Sequence, residues 1–152
     1  MKLISSTYLN LGNPPNFETC TRDVFEVSSN FKEMELLKMA KSMASVCVQL
    51  HSKGINHGDF YAHNILVNET SETLLGDFGA ASFYDINSIH ASSIERIEVR
   101  AFSCLVEDIL NLVNEITDQK RNQWLKLISD CRTLKVKSRP SFAEVLKELS
   151  TF

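Results

Sequence analysis

The stretch His57-Gly58-Asp59-Phe60-Tyr61-Ala62-His63-Asn64, followed by Ile65-Leu66-Val67 and, further on, by Gly76-Asp77-Phe78-Gly79, decides how this chain folds. Asp59 and Asn64 stand five apart in a loop that runs into a short apolar segment. A second apolar segment, Thr73-Leu74-Leu75, comes after the polar residues 68–72, a pattern that predicts a hairpin of two short strands. Such a hairpin returns Asp77 to the edge that carries Asp59 and Asn64. Taken singly, each of the three reads equally well as a turn-capping residue. Taken jointly they match what phosphoryl transfer requires. One carboxylate accepts or orients a hydroxyl proton, and hard oxygen ligands hold magnesium against the phosphates.

Working outward, the 152 residues suffice for one domain with a substantial core. A net charge of −3 argues against non-specific binding to nucleic acid or acidic membrane. No apolar run approaches the roughly 18 residues of a membrane-spanning helix, and the amino terminus turns polar after Ile4, too early for a signal-peptide core. Cys20, Cys47, Cys104 and Cys131 are widely spaced, so reduced thiols in the cytoplasm are expected rather than a metal centre.

Gly12, Pro14 and Pro15 favour turns in the first 30 residues, with Leu3-Ile4 as the end of a short strand. Asn30 as N-cap, with Glu33 three residues on, opens a helix whose apolar positions run from Leu36 to Leu50 and which stops at Lys53-Gly54. Beyond the hairpin, a loop over 79–93 leads to a buried central helix over 97–113. A further helix is built around Trp124, and a last one opens on the Ser141-x-x-Glu144 capping box. The expected fold is mainly α, with a small β insert.

Assembled in this order, "HGDFYAHNIL" and "LLGDFGAAS" resemble the catalytic loop and the D-F-G motif of protein kinases. "LHSKGINHGD", "VRAFSCLVEDIL" and "SRPSFAEVLKEL" extend the resemblance over roughly 30–150 to the carboxy-terminal lobe, with residues 1–29 as hinge and linker. The resemblance implies ATP and Mg2+ as cofactors and a protein hydroxyl as acceptor. It implies Asp59 as catalytic base, Asn64 and Asp77 as magnesium ligands, and Leu66 as the floor beneath adenine. His57 and Phe78 would stack in an internal spine. His63 reads as a surface or packing histidine or as a cation near the phosphates.

Departures from the pattern accompany the likeness. Gly58 stands in place of the Arg that pairs with a phosphorylated activation loop, and Tyr61 in place of a phosphate-contacting Lys. Glu98 occupies the position of an Asp that braces the catalytic loop. Too few residues separate Asp77 from Glu98 for a full activation segment, no A-P-E occurs there, and Arg139 is left without its glutamate. Neither G-x-G-x-x-G nor V-A-x-K occurs in the chain, so an amino-terminal lobe is expected to be missing. The expectation is a protein-kinase-like phosphotransferase that is weak or inactive alone, completed by a separate amino-terminal lobe or another protein partner. The alternatives are a small-molecule phosphotransferase of the aminoglycoside- or choline-kinase kind and a non-catalytic binding module.

Overall fold

A computed structural model describes residues 4–26 and 29–152. Helix α1 (Glu33–Ser52) starts three residues after Asn30, not at it. Phe31 explains the delay: its N–H donates to Leu112 O at 3.1 Å and holds the chain extended before the helix can begin. The residue that folds back is therefore Glu35, which accepts the Lys32 N–H at 2.7 Å, rather than Glu33. At the other end the N–H groups of Lys53 and Gly54 close on Leu50 and His51, and Gly54 takes a φ of +66°. A Cβ there would lie 2.4 Å from Tyr84 O, so the helix stop is also a close backbone crossing.

The chain then forms β2 (Ile55–Asn56), the functional loop, and the hairpin β3 (Ile65–Val67) and β4 (Thr73–Leu75), with the bounds expected from the apolar pattern. Ile65 pairs with Leu75, Leu66 with Leu74 and Val67 with Thr73. The first strand, β1 (Leu9–Asn10), lies later than the one expected at Leu3-Ile4. Ile4 is not in a strand, and Leu3 falls outside the described residues. Strand β1 pairs with β3, giving the order β1-β3-β4, while β2 pairs with β5 (Ser82–Phe83) in a separate ribbon.

Helix α2 (Ala91–Asn111) begins six residues ahead of Ile97, because residues 91–96 are mostly polar and half-buried and carry no apolar run to announce them. Helix α3 (Asp118–Cys131) is capped by Thr117, whose hydroxyl accepts the Lys120 N–H. Helix α4 (Phe142–Leu149) opens on the expected box: Ser141 and Glu144 exchange backbone-to-side-chain hydrogen bonds at 2.7 and 3.2 Å.

Helix α1 packs on α4 and α2 on α3 around the fully buried Trp124, Phe102 and Phe142. Phe60 from the functional loop and Ile65 from β3 enter the same core, and the Phe60 ring meets those of Phe102 and Phe142. Burying a phenylalanine ring is worth several kcal/mol, enough to fasten the loop to the helices. The fold is mainly helical, with short sheets that carry the loop. Among the described residues no helix is long and apolar enough to cross a membrane.

Gly58 shares the constraint seen at Gly54: its φ is +80°, and a Cβ would meet Ala80 O at 2.5 Å. The expected result is that Gly54→Ala and Gly58→Arg each lower unfolding free energy by about 1–3 kcal/mol in urea denaturation. Ser141→Ala should cost about 1 kcal/mol through its lost cap. A Gly58→Arg chain as stable as the parent would show that this position is not bound to its left-handed backbone.

Candidate active site

Glu98 organises the site from below. Its carboxylate, 3% exposed, comes from the middle of α2 and accepts the Gly58 N–H at 2.9 Å through Oε1. Its Oε2 lies 2.7 Å from His51 Nε2, so one buried anion ties α1, α2 and the loop together. The larger Glu thus braces the loop through a backbone N–H, in agreement with the position expected for it. An orphaned carboxylate at this depth would be costly, and a charge-assisted pair of bonds offsets that cost.

His57 is fully buried, and its Nε2 donates to Gly76 O at 2.9 Å, since a carbonyl can only accept. Nδ1 is buried with no partner among the described residues. The His57 ring meets Phe78 with centroids 4.8 Å apart, so the two rings expected in a spine are in contact, edge to face rather than stacked. Phe78 itself is half exposed.

Asn64 is buried and donates from Nδ2 to both Asp59 Oδ2 (2.8 Å) and Asp59 O (2.9 Å). That interaction fixes the amide so that Oδ1 is left as an acceptor, and it leaves Asp59, 39% exposed, with Oδ1 unengaged by the loop. Gly76 N–H donates to Asn64 O at 2.8 Å, extending the β3–β4 ladder by one rung and setting Asp77 immediately beyond it. Asp77 adopts a left-handed backbone (φ 49°, ψ 76°), and its Oδ1 accepts the Gly79 N–H at 3.1 Å. It is therefore a turn aspartate whose carboxylate remains exposed with free lone pairs. Leu66 is half-buried on the middle strand, on the sheet face it shares with Leu74 and Asn10.

Asp23 is the residue that the sequence reading missed. Its buried carboxylate accepts the Ala62 N–H at 2.5 Å and lies 2.7 Å from His63 Nδ1, capping the turn that presents Asn64. Nothing local in the sequence marks it, because its partners lie about 40 residues away. His63 stacks on Tyr61 at 5.5 Å, and its Nε2 is 3.9 Å from Asp59 Oδ2. It packs against the loop with one nitrogen turned toward the candidate base.

Among the described residues no three His, Cys, Asp or Glu side chains converge as a metal cage. Asn64 Oδ1 and the exposed Asp77 carboxylate are hard oxygen donors on neighbouring segments of the site. They fit magnesium, which keeps its waters and takes further ligands from phosphate.

Residues 6–111 match the family described as protein tyrosine and serine/threonine kinase. A stretch of 75 residues is 31% identical to the serine/threonine-protein kinase US3 homolog of Varicella-zoster virus (strain Dumas), covering 49% of this chain and 19% of the viral protein. The chain thus spans well under two thirds of that relative's length. With the matched region running from before β1 to the end of α2 and enclosing the whole loop and hairpin, the chain belongs to the protein tyrosine and serine/threonine kinase family.

Proposed function

We propose that this chain is the hinge and carboxy-terminal lobe of an ATP-dependent protein phosphotransferase, in which Asp59 accepts the proton of a protein hydroxyl. The observation that carries the proposal is the Asn64–Asp59 hydrogen bond at 2.8 Å, set one rung from Asp77 by the backbone bond from Gly76 to Asn64. In this reading Asn64 and Asp77 hold Mg2+, which would neutralise charge on the nucleotide phosphates, and Leu66 offers its half-buried side chain to adenine. Asp59 orients the acceptor hydroxyl and takes its proton at the exposed carboxylate. Four free cysteines fit a reducing, cytoplasmic setting.

These residues contain neither a glycine-rich phosphate cover nor V-A-x-K. Losing one preorganised charge at a phosphoryl-transfer site costs several kcal/mol, so these residues alone should bind Mg-ATP weakly and turn over slowly. The parts that clamp the phosphates would come from outside these residues.

Calorimetric titration of the chain with ATP and magnesium tests the nucleotide role. Weak binding that disappears in Asp77→Ala is expected, whereas tight binding indifferent to Asp77 overturns the assignment. Co-expressed with a kinase amino-terminal lobe, the chain should gain phosphoryl transfer, and Asp59→Asn should reduce it by about 10²–10⁴-fold while leaving nucleotide binding in place. No gain on co-expression removes the catalytic reading and leaves a binding module. Glu98→Gln keeps the shape but weakens the charged bond to Gly58, and should lower stability by about 1.5–3 kcal/mol and slow any transfer more than it weakens nucleotide binding.

A further inference from the structure

A groove of about 750 Å³ opens beside the functional loop, between it, α2 and the segment that leads into α4. Its floor includes Phe60 and its rim includes Tyr61, while Ile97 (63% exposed) and Leu134 (97% exposed) stand along its sides without apolar cover. Most charges in the groove satisfy one another. Arg22 pairs with Glu107 and Asp108, and Arg132 with Glu107. The Arg132 guanidinium, and then Arg22, hold the Glu107 carboxyl below its usual range, while burial pushes Asp108 up to about 6 in spite of Arg22.

Arg139 differs. It is 9% exposed, yet among the described residues no carboxylate pairs with it. Its Nε donates to Thr133 O at 2.9 Å and its Nη1 to Arg96 O at 3.0 Å. Arg96 Nε returns a bond to Arg139 O at 2.8 Å, which pins the buried guanidinium against α2. The remaining terminal nitrogen, Nη2, makes no hydrogen bond among the described residues, and Arg139 lines the groove. Arg100, also on the groove and exposed, has no carboxylate partner there either. Burial first, and then the Arg100 charge, press the Arg139 pKa down, so the two cations sense each other. A guanidinium stays charged in spite of such pressure, and Nη2 is left open to the groove rather than sealed in the interior.

We propose that this groove docks an acidic peptide segment of a partner protein, with a Glu or Asp carboxylate on Arg139 and Arg100 and apolar neighbours on Ile97 and Leu134. The charge complementarity selects this occupant. Two cations here have no carboxylate among the described residues, the Arg139 fork is a fixed donor open to the groove, and exposed apolar side chains flank it. Arginine's planar fork suits a carboxylate in two-point contact. Because the groove also meets Tyr61, a docked segment lies beside the functional loop. The docking itself needs no nucleotide and stands apart from the phosphotransfer reading.

The test is retention of the full chain, without ATP or magnesium, on an array of short peptides in which Glu, Gln or phosphoserine stands between varied apolar residues. Glu-containing peptides should be retained, with their Gln counterparts weaker by about tenfold or more. Arg100→Glu supplies a carboxylate from within the chain and should abolish retention. Leu134→Ser should weaken it without touching the cations. Because Arg139 also holds two backbone carbonyls, these exposed positions carry the test in variants that keep the fold. Equal retention of Glu and Gln peptides, retention unchanged in Arg100→Glu, no Glu-dependent retention at all, or retention confined to phosphoserine peptides overturns the proposal.

Discussion

One buried carboxylate, Glu98, is the constraint on which the rest of the site depends. A charge 3% exposed is tolerated only where donors surround it, and the donors here come from two different elements. His51 near the end of α1 and the Gly58 N–H in the loop both converge on it. The helices cannot slide past one another, nor the loop lift away, without stranding that anion. The loop is consequently held to the helical core by electrostatics at Gly58 and by packing at Phe60, one on either side of Asp59. A loop pinned on both flanks can present an exposed carboxylate in a fixed direction, which is the property a positioning-dominated reaction requires.

Asp23 repeats this logic at the far end of the loop. Its two oxygens hold Ala62 N–H and His63, and so fix the turn just before Asn64. The site is therefore framed by two buried carboxylates, Glu98 and Asp23, each spent on holding the loop. Asp77 is held differently, by a local turn and a strained backbone, and keeps an exposed side chain. The contrast is between Asp59, on a loop pinned at both flanks, and Asp77, held by a local turn alone.

Much of this was legible in the sequence, because the relevant signals are local. The hairpin bounds follow from two short apolar runs on either side of a polar turn, and the α4 box and the Gly54 stop follow from short-range capping rules. The misreadings arise where distant contacts override local preference. Asn30 is a good N-cap by type, but Phe31 is drawn to Leu112 and the helix starts at Glu33. The first turns of α2 are mostly polar, so periodicity detects only the part that enters the core. Asp59, Asn64 and Asp77 were visible as a motif, and Glu98 by its position within one. Asp23 was not visible, since a buried carboxylate among turn residues carries no mark of a partner about 40 positions away. Gly58, which reads as a lost arginine, proves to be a backbone requirement set by Ala80.

The ribbon formed by β2 and β5 has a consequence for motion. Residues 55–58 and 78–84 are stitched together by the pairs Ile55–Phe83 and Asn56–Ser82, by Tyr84 N–H on Gly54 O, and by the close approach of Gly58 to Ala80. Phe83 and Ser82 are exposed and Ile55 and Asn56 only half-buried, so little apolar burial supports this stitching. Neither strand can fray alone, and amide hydrogen exchange across both should proceed through one shared, low-energy opening while the α1–α4 core stays closed. The segment that follows Asp77 is thereby coupled to the backbone that carries Asp59, so the two loosen together.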